Sequence, residues 1–592
     1  MNDKNDKIIE KINKIILDIG YLLLLFIVNT VIVATLFQFV SIQMSIKNVI
    51  LSSIVTFIEY IIISKKNKRK NIIIIISFLL SILIVFTSTF IISKTYDLTC
   101  DGNYYHKVAV GLIKEGWNPA KQSSYDFSKE KNADISDKNV SLWIDHYPKA
   151  TWNFAASIYS ITNNIESGKV ITILFIISLT FILYGYLSKR YLNCFQSIIV
   201  SVLITLNPII LSQIFSYYLD GVLGLTVYLI ILFLVMLTDK KYSEIPDLGK
   251  WIGLAYSIIF CINVKFTGLL FSGIFCICFY IFWLIKLRKE KDFIKNFIKL
   301  TCIFAGIVVF AVGIVGYSSY VKNTIDYKNP LYPLFGKNKV DIITTMQPAS
   351  FENKLGISKL FESLFSKSEN VTYNSGNSPK FKLPFEVSDN EVNNCSIPDL
   401  RIGGYGILFS GIFIISIFTI ILSLIVLNKQ KQKDNCKKID LNILIVIIIG
   451  IIITTLMMTE SWWARYAPQL YLLPIVALIY LFRILNFKSV EKSNVFKKFI
   501  EYSLSIILIV TMTLNLLPFI KWRIKDFKIS RNIERSMYSL EHNLNGNTVN
   551  IYIEPNSYKG VLFNLNDKKI NYKVDNKIDG KFKSLYNTWI KY

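Results

Sequence analysis

The tightest constraint on this chain is a succession of apolar runs of about 20 residues, each long enough to cross the hydrocarbon core of a bilayer. Hydrophobic residues make up 52% of the 592, and they fall in long blocks, not in short amphipathic ones. Lipid is the only solvent that accommodates this pattern, so the expected fold class is an all-α polytopic membrane protein. The runs predict about 13 transmembrane helices. The first nine lie near 19–42, 48–64, 72–93, 168–187, 195–211, 220–238, 250–264, 266–285 and 301–319. The rest lie near 404–427, 441–459, 470–485 and 501–520. The first run is too long for a signal-peptide core and reads as a retained span.

The net charge is +25. A basic balance of this size invites a nucleic-acid reading, but the Lys and Arg residues sit in short clusters between apolar runs. KKNKRK (65–70), SKR (188–190), DKK (239–241), KLRKEK (286–291), KQKQKDNCKK (429–438) and the segment 487–498 all fall on alternate loops. That alternation puts the clusters and the N-terminus in the cytoplasm and the C-terminus outside, with no nucleic-acid partner. Cys100 and Cys395 fall on the outer side, where no disulfide is expected; the other cysteines read as apolar fillers, apart from Cys436 in a basic inner loop.

The same assignment places four long stretches outside: 94–167, 212–219, 320–403 and 521–592. Loops of that length usually carry function. The expected organisation is two extra spans (1–71), a core (72–320) whose outer loops 94–167 and 212–220 carry the site, a large outer loop (321–403), C-terminal spans (404–520) and a tail (521–592). In the tail a charged helical stretch precedes TVNIYIEP and KKINYKV, which alternate as strands do and predict a small α/β unit.

The string YDLTCDGNYYHKVAVGLIKEGWNP, residues 96–119, follows the third apolar run. Asp97 and Asp101 are four apart, so on a continuing helix both carboxylates share one face with Tyr104 and Tyr105 nearby, while His106 points elsewhere. From Tyr105 to Ile113 the apolar spacing is helical, which predicts an amphipathic helix on the outer membrane surface, ended by Gly116 and Pro119. Asp101 also suits a helix cap, a reading that leaves Asp97 unexplained.

Further on, WIDHYPKATWNF packs Asp145, His146, Tyr147, Lys149 and Trp152 into a polar-aromatic patch suited either to an interfacial belt or to substrate contact. SQIFSYYLDG places Asp220 at the mouth of a span, and an ionisable group there is a functional candidate. Lys265 and Arg465 stand at two short outer turns. Lys265 also suits simple snorkelling to head groups, whereas Arg465 offers a planar fork for phosphate against the positive-inside bias.

These residue types have a chemical logic. Sugar transfer from a polyprenyl phosphate needs a carboxylate base for the acceptor and cations to hold the departing phosphate. Asp101, Asp97 and Asp220 are the candidate catalytic acids, and Tyr105, His106, His146, Lys265 and Arg465 the candidate substrate contacts. A divalent cation, if one is used, would fall to Asp97, Asp101 and Asp220. The implied partners are a polyprenyl-phosphate-linked sugar, membrane lipid and an extracytoplasmic acceptor. A transporter or flippase of lipid-linked glycans is the main rival, followed by a glycan polymerase or ligase and a non-catalytic scaffold. Within the spans the main acidic residue is Glu59, which favours chemistry at the surface over passage through the membrane.

The strings DGNYYH, GWNP, HYPKATWN, SYYLDG, NVKFTG and RYAPQLYLLP, in this arrangement of loops and spans, resemble the GT-C superfamily of membrane glycosyltransferases. That superfamily includes protein O-mannosyltransferases, aminoarabinose transferases and oligosaccharyltransferase catalytic subunits. The resemblance extends over 72–520 and implies a polyprenyl-phosphate-sugar-dependent transferase. It matches Asp101 or Asp97 to the first-loop acid and Asp220 to the second-loop acid. The spacing D-x-x-x-D departs from the adjacent DE or DxD of relatives.

Overall fold

A computed structural model describes residues 2–131, 137–336, 339–341, 343–430, 435–486, 495–544, 546–553, 559–575, 583–585 and 588–591. Among them, eleven helices are long and apolar enough to cross a membrane, so the fold is the expected polytopic α-helical one. The other two predicted spans are shorter apolar helices, Cys194–Thr205 and Leu441–Met457. The first is cut short because Asn207 caps a new helix at Pro208, its side chain accepting from the Ile210 amide at 3.1 Å.

Exposure sorts the spans. Helix Asp220–Thr238 is buried along almost its whole length, and Leu23, Leu24, Leu25 and Ile27 of the first helix, Asn2–Phe39, are fully covered. By contrast Asn71–Ile92 turns Ile75, Leu79, Leu83 and Phe86 outward, where an apolar surface meets lipid without penalty. Glu59 is held inside the spans: it accepts hydrogen bonds from Asn29 Nδ2 at 2.8 Å and Tyr256 Oη at 2.6 Å. Two neighbouring spans thus satisfy one carboxylate of a third, a packing role for that residue.

Helix Val495–Leu544 has 50 residues, about 75 Å at 1.5 Å per residue. It exceeds a hydrocarbon core of about 30 Å and so continues well beyond it. Its extension leads into a four-stranded sheet ordered Tyr572–Asp575, Val549–Tyr552, Thr588–Lys591, Lys583–Leu585, with the first pair parallel and the others antiparallel. Between the first two strands in sequence lies the short helix Val561–Asp567.

That short helix changes the expected placement of the amphipathic segment. Lys107–Glu115 is helical and ends, as its sequence predicts, at a left-handed Gly116 (φ 108°). Its residues 107–113 are all buried, so it does not lie on a lipid surface. Helix Ala150–Thr162 covers one side. The tail covers the other: Phe563 fills the space beside Gly111, and the Gly560 amide donates to the Asn103 carbonyl at 2.8 Å.

Candidate active site

The third span stops at Ile92, and residues 93–99 form a non-helical bend before helix resumes. The bend separates Asp97 from Asp101, which therefore do not share a helix face. Asp97 is fully buried. Its Oδ1 accepts from the Thr99 amide at 2.8 Å and the Thr99 hydroxyl at 2.5 Å, and its Oδ2 from the Tyr217 amide at 2.7 Å. Its own amide donates to Glu166 Oε2 at 3.0 Å. Burial raises the Asp97 pKa, with Lys107 and Lys169 opposing. The carboxylate fastens the loop after the third span to the turn before Asp220, and the fit is close enough that a Cβ on Gly102 would come within 2.0 Å of Asp97 Oδ2.

Behind this knot is a closed ion cluster. Glu166 pairs with Lys107 and, at 2.7 Å, with Lys169. Asn564 of the tail bridges it, accepting from Lys107 at 3.0 Å and donating to Glu166 at 2.9 Å.

Asp101 behaves differently. It opens a five-residue π-helical turn, Gly102–His106, yet its side chain makes no capping bond. The carboxylate is 27% exposed and stands 3.6 Å from Arg465 Nη1. Removal from bulk water pushes its pKa up to about 6; Arg465 and Lys265 pull it down, and Asp399 and Asp220 push it up. Asp220, at the start of its helix, is 3% exposed and pairs with Lys265 Nζ at 2.8 Å and with Arg465 Nε at 3.7 Å. Gln213 Nε2 donates to it at 3.2 Å. Lys265 is the single extended residue (φ −158°) between helices Asp247–Val264 and Phe266–Leu287, an interruption that delivers its ammonium to Asp220.

Arg465 is the hub. Its guanidinium lies 4.7 Å from the Trp463 ring centre and 5.3 Å from those of Tyr218 and Tyr466, an aromatic cradle that attracts the cation. Asp399 Oδ1 accepts from its Nη1 at 2.6 Å, while Arg465 Nε has no hydrogen-bond partner among the described residues. The Tyr105, Tyr147, Tyr218 and Tyr466 hydroxyls around the cluster also lack hydrogen-bond partners among the described residues.

Comparison with solved structures finds a likeness to the crystal structures of ArnT from Cupriavidus metallidurans. The apo form aligns with a TM-score of 0.43 and 10% identity over 85% of each chain. The form bound to undecaprenyl phosphate gives 0.42 and 11% over 85% of this chain and 86% of that one. No family model matches the chain, and no curated protein matches it. A likeness this distant leaves the chemistry to be argued from the residues themselves.

The two histidines between the third and fourth spans separate. His106 is buried, and Trp152 Nε1 donates to its Nδ1 at 2.9 Å. Burial pushes its pKa down to about 3, with Asp220 opposing and Lys265 and Arg465 reinforcing. The ring is therefore neutral, and because an indole only donates, Nε2 carries the proton. His146 lies elsewhere, with Nδ1 2.7 Å from Asn323 Oδ1 and its ring edge-on to Tyr327 and Tyr332. It orders residues 323–332 and does not join the Arg465 cluster.

Among the described residues no group of three or more His, Cys, Asp or Glu side chains is placed to hold a metal ion. Asp97 has both oxygens committed, and Asp220 already faces a lysine. The donor set proposed for a divalent cation therefore does not fit one, and the cationic groups present are Lys265 and Arg465. Neither Cys100 nor Cys395 is disulfide-bonded to another described residue. Sequence reasoning missed Asp399, Arg401 and Gln213. Asp399 follows a proline and stands two residues before Arg401, a local charge pair within a loop that has no periodicity to draw attention to it.

Proposed function

We propose that the chain is a membrane glycosyltransferase of the GT-C type that moves a sugar from a polyprenyl-phosphate donor to an extracytoplasmic acceptor. The observation that carries this reading is Asp101: a partly exposed carboxylate with a pKa near 6 beside the buried pair Asp220–Lys265 and the guanidinium of Arg465. Asp101 takes the proton of the acceptor hydroxyl, and the resulting oxygen attacks the anomeric carbon. The bond from that carbon to the phosphate oxygen breaks with inversion, and its electron pair leaves with the polyprenyl phosphate. Lys265 and Arg465 hold that phosphate as its charge grows, where a preorganised cation is most effective. Asp220 and Asp399 keep the two cations in place, and the uncommitted tyrosine hydroxyls offer contacts to the sugar.

In this reading the N-terminus is cytoplasmic, the C-terminus and site are outside, and Asp97 is a positioning residue. The test is mass spectrometry of envelope glycans and lipids from cells carrying wild type, Asp101→Asn, Asp220→Asn or no chain. One product should be missing from the deletion and from both variants. Wild-type levels of that product in both variants would overturn the assignment.

A further inference from the structure

A cavity of about 370 Å³ opens beside the Arg465 cluster and is not used by the donor chemistry above. Two residues of its wall, Tyr218 and Asp399, also contact Arg465. Cys100, the sequence neighbour of the proposed base Asp101, also lines the cavity. The extension of the last long helix lines it too, through Trp522, Arg523 and Asp526. A volume of this size suits a small ligand of one or two rings.

The lining chooses among ligand classes. Each charged group is already matched within the protein: Arg523 to Asp526 at 3.1 Å, and Asp399 to Arg465 and Arg401. An anionic head group would leave its charge uncompensated there. Arg523 Nε lacks a hydrogen-bond partner among the described residues, but the guanidinium charge is met by Asp526. The Asn393 amide, the Ser396 hydroxyl and the Tyr218 hydroxyl also lack partners among the described residues, and these are neutral. These neutral groups line the cavity together with the indole of Trp522, and an aromatic ring joined to neutral donors and acceptors recognises a ring bearing hydroxyls. We propose that this cavity is the acceptor subsite and that it takes a neutral saccharide. The proposal rests on the transferase reading and adds the chemical class of the acceptor.

The test uses full-length protein in detergent, with donor from the lipid fraction of deletion cells and acceptor from a separate envelope extract of the same cells. Asn393 and Ser396 make no side-chain hydrogen bonds among the described residues, so the double variant Asn393→Ala/Ser396→Ala should keep its folded profile on size exclusion. It is expected to need about tenfold more extract for half-saturation, with the wild-type plateau. An unchanged half-saturation, or a lowered plateau alone, overturns the subsite. Periodate, which cleaves vicinal diols, should abolish acceptor activity of the extract. Phosphatase and protease should leave it intact, and the reverse pattern overturns the saccharide assignment. Asp101→Asn should be inactive at every extract concentration. If it is fully active the transferase mechanism fails, a result distinct from failure of the subsite.

Discussion

Two groups of charged side chains lie at the same end of this molecule and use the same residue types to opposite effect. In the Glu166 cluster, Lys107, Lys169, Asp97 and Glu166 are at most 1% exposed, and each is bonded to protein. In the Arg465 cluster, Asp101 is 27% exposed with no hydrogen-bond donor, and Arg465 Nε and four tyrosine hydroxyls lack hydrogen-bond partners among the described residues. A saturated buried network rigidifies; an unsaturated one has capacity left for a ligand. Residue type and location at one end of the molecule therefore do not separate a strut from a candidate reaction centre, whereas unspent hydrogen bonds do.

That contrast breaks most visibly at its two acids. Asp101→Asn should lower product formation about 1,000-fold, in the range of losing a general base, while the thermal midpoint of the purified protein stays at wild type. A matching fall in the midpoint would make Asp101 another strut. Glu166→Gln takes from buried Lys107 and Lys169 the carboxylate with which both are paired and should cost about 3 to 5 kcal/mol of stability, read as a lowered midpoint and poor yield. An unaltered midpoint would remove the distinction from the other side.

The pH profile sharpens the contrast. A base must be unprotonated, so activity should be flat above the Asp101 pKa of about 6 and fall about tenfold per unit below it. Replacing Arg465 with Gln removes the largest influence holding that pKa down, so the residual activity should titrate at higher pH. The smallest effect expected is from Tyr105→Phe and Tyr147→Phe. Each deletes a hydroxyl with no hydrogen-bond partner among the described residues, so activity should drop about three- to tenfold in initial-rate assays with the midpoint unmoved.

The spans were readable because lipid demands about 20 apolar residues of a helix, and the strands at 549–552 and 572–575 because alternation is local. Asp101, Asp220, Lys265 and Arg465 were readable as a group through the alternation of basic loops, which put all four on one side. Separating Asp97 from Asp101 was not possible from spacing, since four residues share a face only if the helix continues, and here it bends at 93–99. The apolar face of Lys107–Glu115 was plain in the sequence, but what covers it, Phe563, stands more than four hundred residues away. Asp399 had no pattern at all, because a loop residue acquires its partner only from the tertiary fold.

The helix Val495–Leu544 has one further consequence. Ser530 and Glu534 near its far end bind the amide and hydroxyl of Tyr96 at 2.9 Å and 2.5 Å, while Trp522 and Arg523 stand lower on the same rod. One residue inserted in its lipid-embedded half would swing all of these by about 100°, carrying them off their partners together. Seven inserted residues would restore their bearing but raise them about 10 Å. The number of residues between the hydrophobic anchor and Tyr96 is accordingly a fixed gauge, to which bilayer and headpiece are both cut.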